Sequence, residues 1–242
     1  MSDEKFRKHF VDIRFQDNDK KVVFEYDDGE EVIGDIDLLR IEVDSDRFFS
    51  KEYLIIDTIE QLVKYIDKLP ANTNDRNTKI ISSCIFRNQN IIDEILKKYL
   101  DINIDFISCF FIFSETVIKL SFDSRSIICF KNCYFKGQLE LTGTITVLSF
   151  TFCDFLGIVK LKSIKFSDIA VSHCIFNKGL LFPGKMESLR KHSLFHFEES
   201  IFKDIVQMRY YEYEPDISFN KSKFLKESNF DLMSKFLGRV LF

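Results

Sequence analysis

The sequence predicts a mainly β protein: a small N-terminal α+β domain, then a β-solenoid, then a short C-terminal capping helix. Three observations carry this. Residues 8–45 alternate apolar and polar, the period of a half-buried strand. From residue 81 onward one motif returns every 20 to 26 residues. The 242 residues include 28 Phe but no Trp, only 8 Gly and only 3 Pro, so one bulky apolar residue fills the same packing slot many times.

Phe10-Val11-Asp12-Ile13-Arg14-Phe15 and Lys21-Val22-Val23-Phe24-Glu25-Tyr26 read as strands. Asp28-Gly29 is a two-residue turn signal, and Glu30 to Gly34 returns antiparallel. Carboxylates on the outward positions give this sheet an acidic face. Asp57-Thr58-Ile59-Glu60 reads as a capping box, because the carboxylate three residues on can answer the cap's free N–H. Ile59, Leu62, Val63 and Ile66 then form one helical stripe that Pro70 stops. The polar run 71–78 closes a domain spanning 1–79. A second helix over about Ile91–Tyr99, capped by Asn90, places a cap or connection at 80–105.

The solenoid is expected over 106–230. Its motif is Phe-x-x-Cys/Ser-x-Phe. It occurs at Phe106/Cys109/Phe111, Phe130/Cys133/Phe135, Phe150/Cys153/Phe155, Val171/Cys174/Phe176, Phe197/Ser200/Phe202 and Phe219/Ser222/Phe224. An earlier copy is Ile81/Cys84/Phe86. Apolar residues recur four and six positions later, at Leu139/Leu141, Val159/Leu161, Leu180/Phe182 and Val206/Met208. Self-similarity at a fixed period marks a stack of structural units. A coil of about 20 residues divides into four sides of five. Each side sends a large residue to the axis, and a small Cys or Ser two positions earlier shares the space. Stacking at the strand spacing of ~4.8 Å then piles Phe on Phe and Cys on Cys, and six or seven coils rise roughly 30 Å.

These slots resemble the pentapeptide-repeat family of right-handed quadrilateral β-helices, which favours a small residue two before a central Leu or Phe. Cys133/Phe135, Cys153/Phe155 and Cys174/Phe176 fit both positions. The resemblance covers about 104–230. The chain departs from the family where an Asp or Asn should precede the central residue, which happens at Asp154 and Asn229. Leucine-rich repeats share the period but need a helical return side, where Ile164 to Val171 reads as strand. Leu232, Met233, Phe236, Leu237, Val240 and Leu241 recur at helical spacing, so residues 231–242 are expected to cap the last coil or to make a homodimer.

No motif for catalysis, a cofactor or a metal emerges. There is no glycine-rich phosphate loop, no Gly-x-Ser-x-Gly and no His-Glu-x-x-His. Cys109, Cys133, Cys153 and Cys174 sit one coil apart and Cys129/Cys133 is the only near pair, where structural zinc wants pairs such as Cys-x-x-Cys, so the cysteines read as core filler. His173 precedes Cys174, but strand alternation sends the two to opposite faces. No cofactor, no metal and no enzymatic role is expected. The absence of an apolar segment behind Met-Ser-Asp-Glu-Lys, and cysteines that read as reduced, point to the cytoplasm, and no apolar run is long enough for a membrane span.

The expected function is a protein-interaction module: an inhibitor, antidote or adaptor of a larger assembly, since solenoids present long regular faces. The alternative is a nucleic-acid-linked regulator. The resemblance implies mimicry of duplex DNA by an acidic solenoid, as in relatives that act on DNA gyrase. Yet residues 106–242 hold 18 Lys/Arg against 14 Asp/Glu, while residues 1–105 hold 16 against 24. Mimicry would therefore fall to the acidic front part. Direct contact with DNA or RNA, or with a partner, would use Lys119, Arg125, Lys131, Lys136, Lys160, Lys162 and Lys165.

Overall fold

The computed structural model describes residues 10–16, 21–26, 29–35, 54–68, 78–98, 102–123, 127–208, 212–226, 229–230, 235–236 and 238–241. The chain forms two compact units, Met1–Leu54 and Ile55–Phe242.

In the first unit β1 (Phe10–Gln16), β2 (Lys21–Tyr26) and β3 (Glu31–Asp35) form an antiparallel sheet in that order. Gly29 takes a φ of 82° in the β2–β3 turn, a conformation that costs glycine little. The register puts Asp12, Glu25 and Glu31 in one row and Arg14, Val23 and Ile33 in the next. Arg14 bridges the rows: its Nη1 donates to Glu25 Oε2 at 2.9 Å and its Nη2 to Glu31 Oε1. Residues 36–45, the rest of the expected acidic stretch, lie outside the described residues.

The second unit is a parallel β-solenoid. Its opening coils mix strand and helix: β4 (Leu54–Ile56), α1 (Ile59–Lys68), β5 (Thr78–Ser82), β6 (Cys84–Phe86), α2 (Gln89–Lys98) and β7 (Asn103–Ile107). The longer strands β8 (Phe110–Asp123), β9 (Ile127–Lys131), β10 (Tyr134–Thr151), β11 (Asp154–Phe155) and β12 (Val159–Ser172) run round several sides. Then follow β13 (Ile175–Phe176), β14 (Leu180–Phe182), β15 (Met186–Ser188), β16 (Leu194–Glu198), β17 (Ile201–Phe202) and β18 (Val206–Met208). The last are β19 (Glu212–Tyr213), β20 (Asp216–Asn220), β21 (Lys223–Phe224), β22 (Asn229–Phe230), β23 (Lys235–Phe236) and β24 (Val240–Leu241).

Every coil pairs in parallel with the next, giving four faces. The first stacks β5, β7, β9, residues 147–151, residues 168–172, β16, β20 and β24. The second stacks β6, residues 110–111, residues 134–135, β11, β13, β17 and β21. Later strands supply the third and fourth faces, for example Leu139↔Val159↔Leu180↔Val206 and Ile164↔Met186↔Tyr213↔Phe236. Helices α1 and α2 take the return side of the opening coils. Leu62, Ile66, Ile91, Ile92 and Ile95 join the same core as Phe86 and Phe106. Tyr65 Oη also bonds the Ser82 N–H and carbonyl, each at 3.3 Å.

Several boundaries differ from those read in the sequence. The first helix belongs to the solenoid unit and joins its core, since the division falls at 54/55 and not at the polar loop. Its cap is Thr58, whose Oγ1 accepts the Gln61 N–H at 3.3 Å, while Gln61 Oε1 accepts the Thr58 N–H at 3.1 Å. Asp57 instead receives Arg87 Nε at 2.7 Å. The second helix is capped by Asn88, whose Oδ1 takes the Asn90 N–H at 3.1 Å. The C-terminal helix expected over 231–242 is not formed by the described residues there. Phe236 extends the column below Tyr213, and Val240 the column below Ile217. Residues 231–234, 237 and 242 lie outside the described residues.

The axis is built from rings. Phe86, Phe111, Phe135, Phe155, Phe176, Phe202 and Phe224 form one column with successive centroids 4.6–5.2 Å apart and planes within 18°. Phe106, Phe130 and Phe150 form a second at 5.0 Å spacing, and Phe197 and Phe219 resume it at 4.8 Å. The columns meet edge to face, as Phe130 and Phe135 do at 5.4 Å and 71°. Offset stacking and edge-to-face contact are the favoured aromatic geometries, so the coil spacing suits the rings. Val171 stands where the second column lacks a ring.

Candidate interaction surface

The corner between the first and second faces repeats without variation. Its residues Ser83, Ser108, Asn132, Phe152, His173, Glu199 and Lys221 all have φ between 48° and 55°. Each of the first six donates its N–H to a carbonyl of the following coil, from Ser83 to Ile107 (3.0 Å) through to Glu199 to Asn220 (3.0 Å). The small inward residue follows. Cys153 Sγ bonds the Phe130 carbonyl one coil back at 3.4 Å, and Cys174 Sγ the Phe150 carbonyl at 3.5 Å. The chain of thiols passes to hydroxyls: Ser200 Oγ accepts the Cys174 N–H at 3.2 Å, and Ser222 Oγ the Ser200 N–H at 3.3 Å. Burial pushes the Cys133, Cys153 and Cys174 thiols well above their usual range, so they stay protonated. No disulfide joins the six cysteines, and Cys129 alone lies outside the column, half-buried on the first face.

The columns named from the sequence lie inside. Phe106, Cys109, Phe111, Phe130, Cys133, Phe135, Phe150, Cys153, Phe155, Val171, Cys174, Phe176, Phe197, Ser200, Phe202 and Phe219 are buried, and Ser222 and Phe224 are partly so. Beside Val171 the axis holds a cavity of about 10 Å³ lined only by apolar side chains, among them Phe150, Phe155, Phe176 and Phe197. Such a space is about one water in size and offers a water no partner. Among the described residues no three His, Cys, Asp or Glu are grouped to hold a metal ion. No described helix is long and apolar enough to cross a membrane.

The six described cations of the seven named from the sequence do not share a patch. Lys119 and Lys160 stand on the third face with Glu140 between them in register, and Lys160 Nζ lies 4.0 Å from Glu140 Oε1. Lys162 ends that face, and Lys165 begins the fourth, 3.6 Å from Glu187 Oε2. Lys136 sits at the turn between the second and third faces, and Lys131 on the first. Arg125 lies outside the described residues. Lys185 adds to this mixture: it lies 3.2 Å from Glu187 and holds that carboxyl below its usual range.

The first face differs. Strand period two turns every other residue outward. In its middle coils Ile127, Cys129, Val147, Ser149, Thr151 and Ala170 are half-buried, uncharged and in parallel register. Charges border this strip directly: Asp105 pairs in register with Cys129, Lys131 with Thr151 and Asp168 with Val147. Asp168 receives Arg190, and farther along the face Asp216 receives Arg239 Nη2 at 2.7 Å. Arg239 holds the Asp216 carboxyl below its usual range by that bond and by its own N–H at 2.7 Å.

The sequence showed the inward columns but not the outward rows. No residue type marks the corner, and the cluster there of Ser172, His173, Glu199 and Lys221 was missed. The available signal was phase: each of its last three members immediately precedes an inward Cys or Ser. Neither the family profiles, nor the curated proteins, nor the solved structures compared with this chain contain a match to it.

Proposed function

We propose that the chain is a non-catalytic protein-interaction module, an inhibitor, antidote or adaptor of a larger assembly, that docks through the first face of its solenoid. The observation that carries this is the contrast between a filled axis and an uncharged, half-buried strip spanning Ile127, Val147 and Ala170 on regular parallel strands. A rigid strand platform limits the ordering cost that binding imposes. A pentapeptide-repeat kinship, with its right-handed quadrilateral coil, is consistent with the phase of the Cys and Phe columns. Six thiols without a disulfide fit a reducing, cytoplasmic setting.

Nucleic-acid binding through the solenoid receives less support, because Glu140 and Glu187 interrupt the cations that would track a phosphate backbone. The deciding experiment is affinity capture from native lysate with the full chain, with Val147→Arg and Ala170→Arg on the first face, and with Lys160→Glu on the third. One stoichiometric protein should be retained by the wild type and by Lys160→Glu and lost from both arginine variants. Equal capture by all four, or no stoichiometric protein, would remove this reading.

A further inference from the structure

Where the first face turns into the second, consecutive coils set Phe152, His173, Glu199 and Lys221 in one outward row, and Ser172 ends the strand just before it. Ser172 Oγ lies 2.7 Å from His173 Nδ1. His173 Nε2 lies 3.0 Å from Glu199 Oε2. Lys221 Nζ donates to Glu199 Oε1 at 3.2 Å. The Phe152 ring rests against the imidazole with centroids 4.7 Å apart.

These contacts fix the direction of the proton. Lys221, and after it His173, hold the Glu199 carboxyl below its usual range, so it is ionised at neutral pH. A carboxylate only accepts. In the neutral imidazole the hydrogen must therefore sit on Nε2, which leaves the Nδ1 lone pair facing Ser172. The hydroxyl has to donate to it. Nucleophile, base and orienting carboxylate thus stand in the relation that activates a serine.

We propose that Ser172 is an acyl-acceptor site, taking one acyl group from an unhindered activated donor such as an aryl ester or a thioester. Ser172 Oγ bonds to the acyl carbonyl carbon while its proton passes to His173 Nδ1. The bond from that carbon to the leaving oxygen or sulfur breaks, and the leaving group takes the proton from the imidazolium. Nothing is oxidised or reduced. Glu199 is a positioning residue. The neighbouring main-chain donors are engaged in the coil ladder: the His173 N–H bonds the Glu198 carbonyl at 2.9 Å, and the Cys174 N–H bonds Ser200 Oγ at 3.2 Å. Neither is turned outward to steady an oxyanion, a contribution usually worth ~10²–10³ in rate. The outcome is one persistent seryl ester per chain rather than turnover, which keeps this site distinct from the docking role above.

The test treats the full chain with p-nitrophenyl acetate and maps the acetyl group by peptide mass spectrometry. One equivalent of p-nitrophenolate should appear together with one acetyl group on Ser172. Ser149, an outward serine on the same face, is the internal reference. His173→Gln should slow labelling of Ser172 by about 100-fold, the lower end of general-base catalysis. Two-bond ¹H–¹⁵N spectra should show the Nε2–H tautomer of His173 in the wild type and lose it in Glu199→Gln. Labelling of Ser172 no faster than Ser149, or undiminished in His173→Gln, overturns the proposal. The wild-type comparison stands even if a variant fails to fold.

Discussion

Removing the ring of Phe155 should be among the most damaging single changes in the solenoid. Phe155 is 2 % exposed and lies between Phe135 and Phe176, with centroids 5.2 and 4.8 Å away. It meets Phe150 edge-on at 5.3 Å. Phe→Ala in a core costs ~3–5 kcal/mol, and the spread depends on how far the surroundings collapse. Collapse is resisted here because coils above and below are pinned by backbone ladders. Phe155 also borders the cavity beside Val171, so deleting its ring joins the two voids. We expect Phe155→Ala to sit near the top of the range, about 4–5 kcal/mol. Total stabilities are ~5–15 kcal/mol, so the urea midpoint by circular dichroism should fall steeply. A loss below about 0.5 kcal/mol, the level of an ordinary surface change, would mean that the rings do not stack on the axis.

Three further outcomes follow from the same geometry. Cys153→Leu should cost about 1–3 kcal/mol by overpacking, whereas Cys153→Ser should be nearly neutral because Ser200 and Ser222 already fill this slot; paired urea melts compare them. Gly143→Ala should cost more than about 1 kcal/mol, since Gly143 has φ +93° and a Cβ would come 2.0 Å from the Phe122 carbonyl oxygen; the thermal midpoint reports it. Asp216 has a folded pKa below its unfolded value of about 3.9, so its contribution is present at neutral pH and is lost as pH falls below that value. Asp216→Asn should lower stability at pH 7 and flatten the acid limb of a stability–pH profile, and an unchanged acid limb would refute the Arg239 clip.

Phe111, Phe135, Phe155 and Phe176 were legible because inward positions see the same neighbours in every coil and so repeat the same residue. The corner was not legible: Ser108, Asn132, Phe152, His173 and Glu199 share a backbone conformation but no chemistry, so no single residue type recurs there. The surroundings of the lysines were not legible for a related reason. Lys119, Lys160 and Lys165 are neighbours in composition, but Glu140 and Glu187 reach them only through pairing with adjacent coils. At the C-terminus Phe236, Val240 and Leu241 fit a helical period by coincidence, since two of the solenoid faces claim them separately. The cap of the first helix lies one residue later than read because Asp57 is drawn off by Arg87, thirty positions away.

The unvarying corner makes whole coils interchangeable parts. Coil length changes elsewhere: residues 189–193 bulge between the fourth and first faces, and a register shift between Leu141 and Gly143 marks another site. From Phe through the corner to the next Phe the count never changes. Excising residues 133–152 would splice Asn132 to Cys153, two equivalent points of successive coils, and leave a shorter stack with every inward side chain still inward. Cutting one residue fewer would put all that follows half a strand period out of step and turn the greasy interior toward water.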